Sequence, residues 1–157
     1  MNIGEGMISK VYLNNGVVAK RYFTPFEDYV GRNIKWHWKA EIKALRKLKG
    51  KKHFPQLISE DHNNKIIYMT YCGEILTKKN LPKDWEKQCE RIEETLYKCD
   101  IYPQDLTGKD NPVPPHIKNI LVKDGIIYMI DFGIWSNKYS KGFHTITGLV
   151  KEVAKNK

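Results

Sequence analysis

Ile130-Asp131-Phe132-Gly133 closes an apolar run, twelve residues after Asn119 in Lys118-Asn119-Ile120-Leu121-Val122. Between them, Ile120-Leu121-Val122, the turn Lys123-Asp124-Gly125 and Ile126-Ile127-Tyr128-Met129-Ile130 read as a tight hairpin. Asn119 and Asp131 therefore stand at its two ends. Two oxygen-bearing side chains placed in this way can chelate magnesium and, through it, a nucleotide phosphate. That chemistry suits phosphoryl transfer. Asp-Phe-Gly alone is short and common, so its value rests on the order and context of the rest of the chain.

The N-terminus supplies that context. In Ile3-Gly4-Glu5-Gly6-Met7-Ile8-Ser9-Lys10-Val11-Tyr12 the small residues Gly4, Gly6 and Ser9 let backbone N–H groups approach phosphate oxygens unhindered. Val11-Tyr12-Leu13, the turn Asn14-Asn15-Gly16 and Val17-Val18-Ala19-Lys20 predict a hairpin, because Asn-Gly tolerates the positive φ of a tight connection. A Rossmann site would set its glycines between a strand and a helix, whereas these lie between two strands. The remaining alternative is an ordinary hairpin with Lys20 in solvent. From Ile34 to Leu48, Trp38, Ile42, Leu45 and Leu48 recur at helical spacing, with Gly50 as the stop. Glu41 falls beside that apolar stripe. It is placed either to meet Lys20 or to pair with a lysine one turn away.

In this order the segments resemble the protein-kinase fold over roughly residues 3–135. Residues 3–12 resemble the glycine-rich loop, with Ser9 at the third glycine of G-x-G-x-x-G and Val11 against the adenine. Lys20 matches the lysine of V-A-I-K, which holds the α- and β-phosphates, and Glu41 matches the glutamate that pairs with it. Lys65 to Gly73 resembles the strand entering the hinge, so that Met69 would guard the adenine pocket and the backbones of Thr70 and Cys72 would bond the base. Asn119 and Asp131 match the magnesium ligands. The resemblance implies ATP and Mg2+ as cofactors. It also implies an α+β fold: an N-terminal antiparallel sheet lobe with one helix (about 1–72), then a strongly reduced helical C-terminal lobe (about 73–157), together one kinase-like domain.

The catalytic loop departs from the family. Counted back without a gap from Asn119, the aspartate of H-R-D would be Pro114, which can neither orient nor deprotonate a hydroxyl. Tyr102-Pro103-Gln104-Asp105-Leu106 offers Asp105 instead, with an insertion rich in Gly and Pro from Thr107 to Pro115. Asp105 would orient the attacking hydroxyl; Asp110, or no base at all, are the alternatives. His116 takes the ungapped place of the catalytic-loop lysine and reads equally as a packing or solvent-facing residue. Only 24 residues follow Gly133, and they contain no A-P-E, so the protein-substrate platform would be cut away. That shortness resembles compact atypical kinases of archaeal and viral type, including Bud32-like and RIO-like forms.

Composition agrees with one small catalytic or binding domain. In 157 residues there is no apolar run of about eighteen to span a membrane. Nor is there a signal-peptide stretch, and the expected location is a cytoplasm, a host's if the source is viral. Cys72, Cys89 and Cys99 fit neither a C-x-x-C pair nor a zinc spacing and read as reduced packing residues. Phe54 to Ile58 reads as a strand, and Trp85, Cys89, Ile92, Leu96 and Cys99 as the apolar stripe of a helix starting near Asp84. Net charge is +9, much of it in Lys35, Lys39, Lys43, Arg46, Lys47, Lys49, Lys51 and Lys52. Such a run is a solvated helix face or a patch for an acidic partner such as nucleic acid. Expected functions are therefore a minimal serine/threonine kinase, or an ATPase within an assembly, acting on a protein substrate or partner. The alternatives are a nucleotide-binding pseudokinase and a basic nucleic-acid-associated accessory protein.

Overall fold

The computed structural model describes residues 1–5, 8–23, 33–103, 115–133, 135–136 and 146–155. The chain divides into two compact units, Met1–Gly50 with Pro55–Tyr71, and Lys51–Phe54 with Cys72–Lys157.

The first unit is built on a five-stranded antiparallel sheet. Its strands are β1 (Asn2–Glu5), β2 (Ser9–Asn14), β3 (Val17–Tyr22), β4 (Leu57–Asp61) and β5 (Ile66–Thr70), ordered β1-β2-β3-β5-β4. Asn15 and Gly16 take φ of 50° and 75°, the left-handed pair that a two-residue hairpin between β2 and β3 requires. Helix α1 (Ile34–Lys47) packs on β4 and β5. Asn33 starts it by accepting the Trp36 N–H on its side chain at 2.9 Å. Leu48 caps the other end, and Gly50, at φ 75°, turns the chain away. Trp38, Ile42, Ala44, Leu45 and Leu48 from the helix are buried, as are Val18, Tyr22, Ile67 and Met69 from the sheet. They form this unit's apolar core.

The expected strand over Phe54 to Ile58 is corrected: β4 begins only at Leu57 and runs on to Asp61. His53 sits at φ 77°, Pro55 has no N–H to donate, and the Phe54 ring leaves the sheet to meet Phe132, with centroids 6.0 Å apart. The loop after β4 is then closed by Asp61, whose carboxylate accepts the Asn63 and Asn64 N–H groups at 3.0 Å each.

The second unit contains β6 (Glu74–Ile75), α2 (Trp85–Lys98), β7 (Tyr102–Pro103), a 3-10 turn (Pro115–Asn119), β8 (Ile120–Lys123), β9 (Ile126–Met129), β10 (Trp135–Ser136) and α3 (Ile146–Lys155). β6, β8 and β9 form one antiparallel sheet, and β7 pairs with β10. Asp84 precedes α2 as expected. The helix ends when Asp100 turns left-handed at φ 54°, which lets the Ile101 N–H reach the Leu96 carbonyl at 3.0 Å. Cys89, Ile92 and Leu96 are its buried stripe, and Trp85 and Cys99 lie at its half-exposed margins. Gly73, at φ 98°, lies so close to β8 that a Cβ there would stand 2.0 Å from the Val122 carbonyl oxygen. Only glycine admits β6 to this sheet.

Among the described residues no helix is long and apolar enough to cross a membrane.

Candidate functional site

Alternation along β3 sends Val18, Lys20 and Tyr22 to the covered face of the sheet and Arg21 to solvent. Lys20 faces Val11 on β2 and Ile67 on β5, and Gly4 on β1 faces Val11, so these four residues make one row across the sheet. Met69 lies on the same face, opposite Val18. Helical spacing from Trp38 and Ile42 turns Glu41 inward to meet this row. Lys20 Nζ stands 2.9 Å from Glu41 Oε1 and donates to Oε2 at 3.0 Å, with side chains only 8% and 2% exposed. The Tyr22 ring lies 5.1 Å from the same ammonium. Glu41 is thus neither exposed nor spent on a lysine of its own helix. Replacing a buried ion pair with apolar side chains is often neutral or stabilising, so the pair is weak evidence of a contribution to stability.

Ser9 opens β2 and is buried, and Gly4 has ordinary contact room beside Val11. Gly6 lies outside the described residues. Thr70 ends β5; its N–H donates to the Gln56 carbonyl at 3.0 Å, and its hydroxyl accepts the Gln56 N–H at 2.9 Å. Cys72 is buried just beyond, where the chain enters the second unit.

In that second unit the hairpin of β8 and β9 carries the other predicted residues. Asp124 and Gly125 take φ of 52° and 75°, and Ile120 pairs with Met129. One step further, the Ile130 N–H donates to the Asn119 carbonyl at 2.9 Å, which brings Asn119 beside the residue preceding Asp131. Asp131 is left-handed, at φ 70°, and its Oδ1 accepts the Gly133 N–H at 3.3 Å. Strained backbone in a non-glycine residue gathers at functional sites, and aspartate tolerates this conformation better than most. An amide oxygen and a carboxylate are hard donors, a set that suits Mg2+ when phosphates and water complete the shell. Among the described residues no cluster of three His, Cys, Asp or Glu side chains could hold a metal without such help. Asp105 and Asp110, the candidate bases, lie outside the described residues.

Sequence reasoning missed Gln88 and His53, which clamp the free edge of β9. The Gln88 Oε1 accepts the Ile127 N–H at 2.8 Å, while its Nε2 donates to the Gly125 carbonyl at 2.9 Å and to Asp84 at 2.8 Å. His53 Nδ1 lies 2.8 Å from the Ile127 carbonyl, and the His53 carbonyl accepts the Met129 N–H at 2.9 Å. A carbonyl partner makes Nδ1 the protonated nitrogen of the neutral ring. Burial foremost lowers the pKa of this imidazole below its ordinary value, with the Ile127 bond acting in the opposite sense. Every edge group satisfied in this way holds the strand that ends in Asp131. The only sequence cue was a glutamine among the apolar positions of α2.

A chain from a structure described as the CAK complex from Chaetomium thermophilum bound to ATP-gamma-S is similar in fold, with a TM-score of 0.62 over 90% of the present chain. The fold is protein-kinase-like. Its sheet and α1 correspond to the N-terminal lobe of that fold, followed by a reduced C-terminal lobe. The two sequences are 20% identical, so the likeness is one of fold, and the match spans 47% of the neighbouring chain. No protein-family model matches the chain, and no curated protein does.

Proposed function

We propose that this kinase-like chain binds ATP with Mg2+ and transfers its γ-phosphoryl group, most simply to a serine or threonine hydroxyl of a protein, or to water within a larger assembly. The observation that carries this reading is the buried Lys20–Glu41 pair. In phosphoryl transfer such a carboxylate fixes the ammonium that neutralises the α- and β-phosphates. Val11 and Met69, on the same face of the sheet, would line the adenine site with Gly4, Gly6 and Ser9 along the phosphates. Because the Thr70 N–H is committed to Gln56, Thr70 would meet the base through its carbonyl, and Cys72 through its backbone. Asn119 and Asp131 would hold Mg2+, which supplies charge neutralisation on the phosphates. Asp105 would orient the acceptor hydroxyl.

ATP labelled at the γ-phosphate tests the proposal. Magnesium-dependent transfer or release, lost in both Lys20→Ala and Asp131→Ala, supports it. Pro114 at the ungapped place of the base favours a second reading, a pseudokinase that binds nucleotide as an interaction module. Magnesium-dependent binding without turnover would select that reading. Strongly salt-dependent nucleic-acid binding, indifferent to both substitutions, would instead select a basic accessory protein. Kinship with compact atypical kinases and a cytoplasmic place of work belong to the same proposal.

A further inference from the structure

Among the described residues, the hairpin that carries Asn119 and Asp131 has one edge with no strand beside it, the outward edge of β9 in the order β6-β8-β9. Ile127 and Met129 are buried there, so water cannot satisfy their backbone. Gln88 bonds the Gly125 carbonyl and the Ile127 N–H, and His53 bonds the Ile127 carbonyl and the Met129 N–H. A side-chain amide and one residue of another segment thus stand in for a missing strand. Alternation makes Asp131 the next residue on this edge, and there the chain leaves the strand for φ 70°. Left-handed backbone in a non-glycine residue persists only where its surroundings over-determine it. On the opposite edge the Ile130 N–H bonds the Asn119 carbonyl, so both edges are held up to the last residue before Asp131.

Gln88 is itself aimed. A carboxylate only accepts, so Asp84 Oδ1, 2.8 Å from Gln88 Nε2, fixes which end of the amide is the donor and leaves Oε1 for the Ile127 N–H. Asp84 stands at the N-cap of α2, where such a side chain ordinarily bonds the first turn of its own helix, yet it makes no cap bond. Its oxygen serves the amide instead. An apolar residue at position 88 would extend the buried stripe of Cys89, Ile92 and Leu96, so packing alone does not ask for glutamine. We infer, resting on the magnesium-nucleotide reading above, that Gln88, aimed by Asp84, is a positioning residue for the metal ligands: its amide fixes the register of β9 and with it the place at which Asn119 and Asp131 meet the ion.

Calorimetric titration of the whole chain with ATP-gamma-S at stepped magnesium concentrations tests this, at a temperature where thermal melts show every variant folded. Gln88→Leu fills the space without polar atoms and is expected to raise the magnesium needed for half-maximal binding about tenfold or more. Ile92→Val, a packing change on the same helix, should leave it within about twofold. Gln88→Glu keeps an acceptor for Ile127 but sets a carboxylate against Asp84 and the Gly125 carbonyl. Relative to the wild type at each pH, its requirement should be raised at about pH 8 and return at about pH 6, where the two carboxylates share a proton and the acid can donate again. Asp84, Arg91, Lys52 and His53 are the charged and titratable groups around it, and the wild-type series carries their own titration. A wild-type requirement in Gln88→Leu, an equal rise in Ile92→Val, or a Gln88→Glu requirement indifferent to pH overturns the inference while nucleotide binding stands. If Gln88→Leu does not fold, the pH series of Gln88→Glu decides alone. Absence of magnesium-dependent binding in the wild type overturns the inference and the reading beneath it together.

Discussion

Removing one partner of the Lys20–Glu41 pair should cost far more than removing both. At 2.9 Å and an effective permittivity of about 20, the gross attraction is about 6 kcal/mol. Desolvating the two ions opposes this by several kcal/mol each, leaving a net contribution near zero, roughly within 1–4 kcal/mol in favour of an apolar replacement. Glu41→Gln strands an ammonium in a buried site and should lose about 3–5 kcal/mol. Lys20→Met strands the carboxylate, with a loss of similar size. The double variant Lys20→Met with Glu41→Leu removes both charges and restores apolar packing beside Ile42 and Ile67, so it should unfold at the wild-type urea concentration or above. Urea unfolding followed by tryptophan fluorescence reads all three, since Trp36 and Trp38 lie on the same helix as Glu41. The double variant should nevertheless bind no nucleotide, because stability and function would part company at this pair. The reasoning is refuted if the double variant loses as much as the two singles together, or if neither single loses even about 1 kcal/mol.

Three other outcomes follow from single residues. Gly73→Ala would place a methyl group 2.0 Å from the Val122 carbonyl oxygen at φ 98°, and should cost roughly 3 kcal/mol or more, read as a fall of several degrees in Tm. The lowered pKa of His53 means that the unfolded chain binds the extra proton, so stability should decline as pH falls through the ordinary histidine value of 6.5. His53→Asn, which accepts positive φ, should flatten that slope, and an unchanged slope would refute the assignment. The Cys89 thiol, pushed up to about 12 by burial and then by Glu93 and Glu86, should resist iodoacetamide in the native protein and react only on unfolding, as peptide mapping would show.

The parts of the fold legible in the sequence are those set by short-range rules. Asn15-Gly16 and Asp124-Gly125 marked their hairpins because few residues accept positive φ, and α1 and α2 announced themselves through apolar positions three and four apart. Helix spacing set Glu41 beside the buried stripe but left its partner open, and its match to Lys20 came from the resemblance to the kinase fold. The start of β4 could not be seen, because it depends on Phe54 finding Phe132, far along the chain. β6, β7 and β10 have two residues each and carry no periodicity to read. Gln88 and His53 escaped notice because their partner Ile127 lies 39 and 74 residues away. A polar residue on an apolar stripe reveals that it needs a partner, not which one.

The central claim is that Lys20 and Asp131 act on the same magnesium nucleotide. Calorimetric titration with ATP-gamma-S, with and without Mg2+, tests it most directly on the wild type, Lys20→Ala and Asp131→Asn, the last keeping a residue that tolerates φ 70°. The account predicts binding that requires magnesium and falls about tenfold or more in each variant while both remain folded. Undiminished binding in either folded variant, or no binding by the wild type, would contradict it.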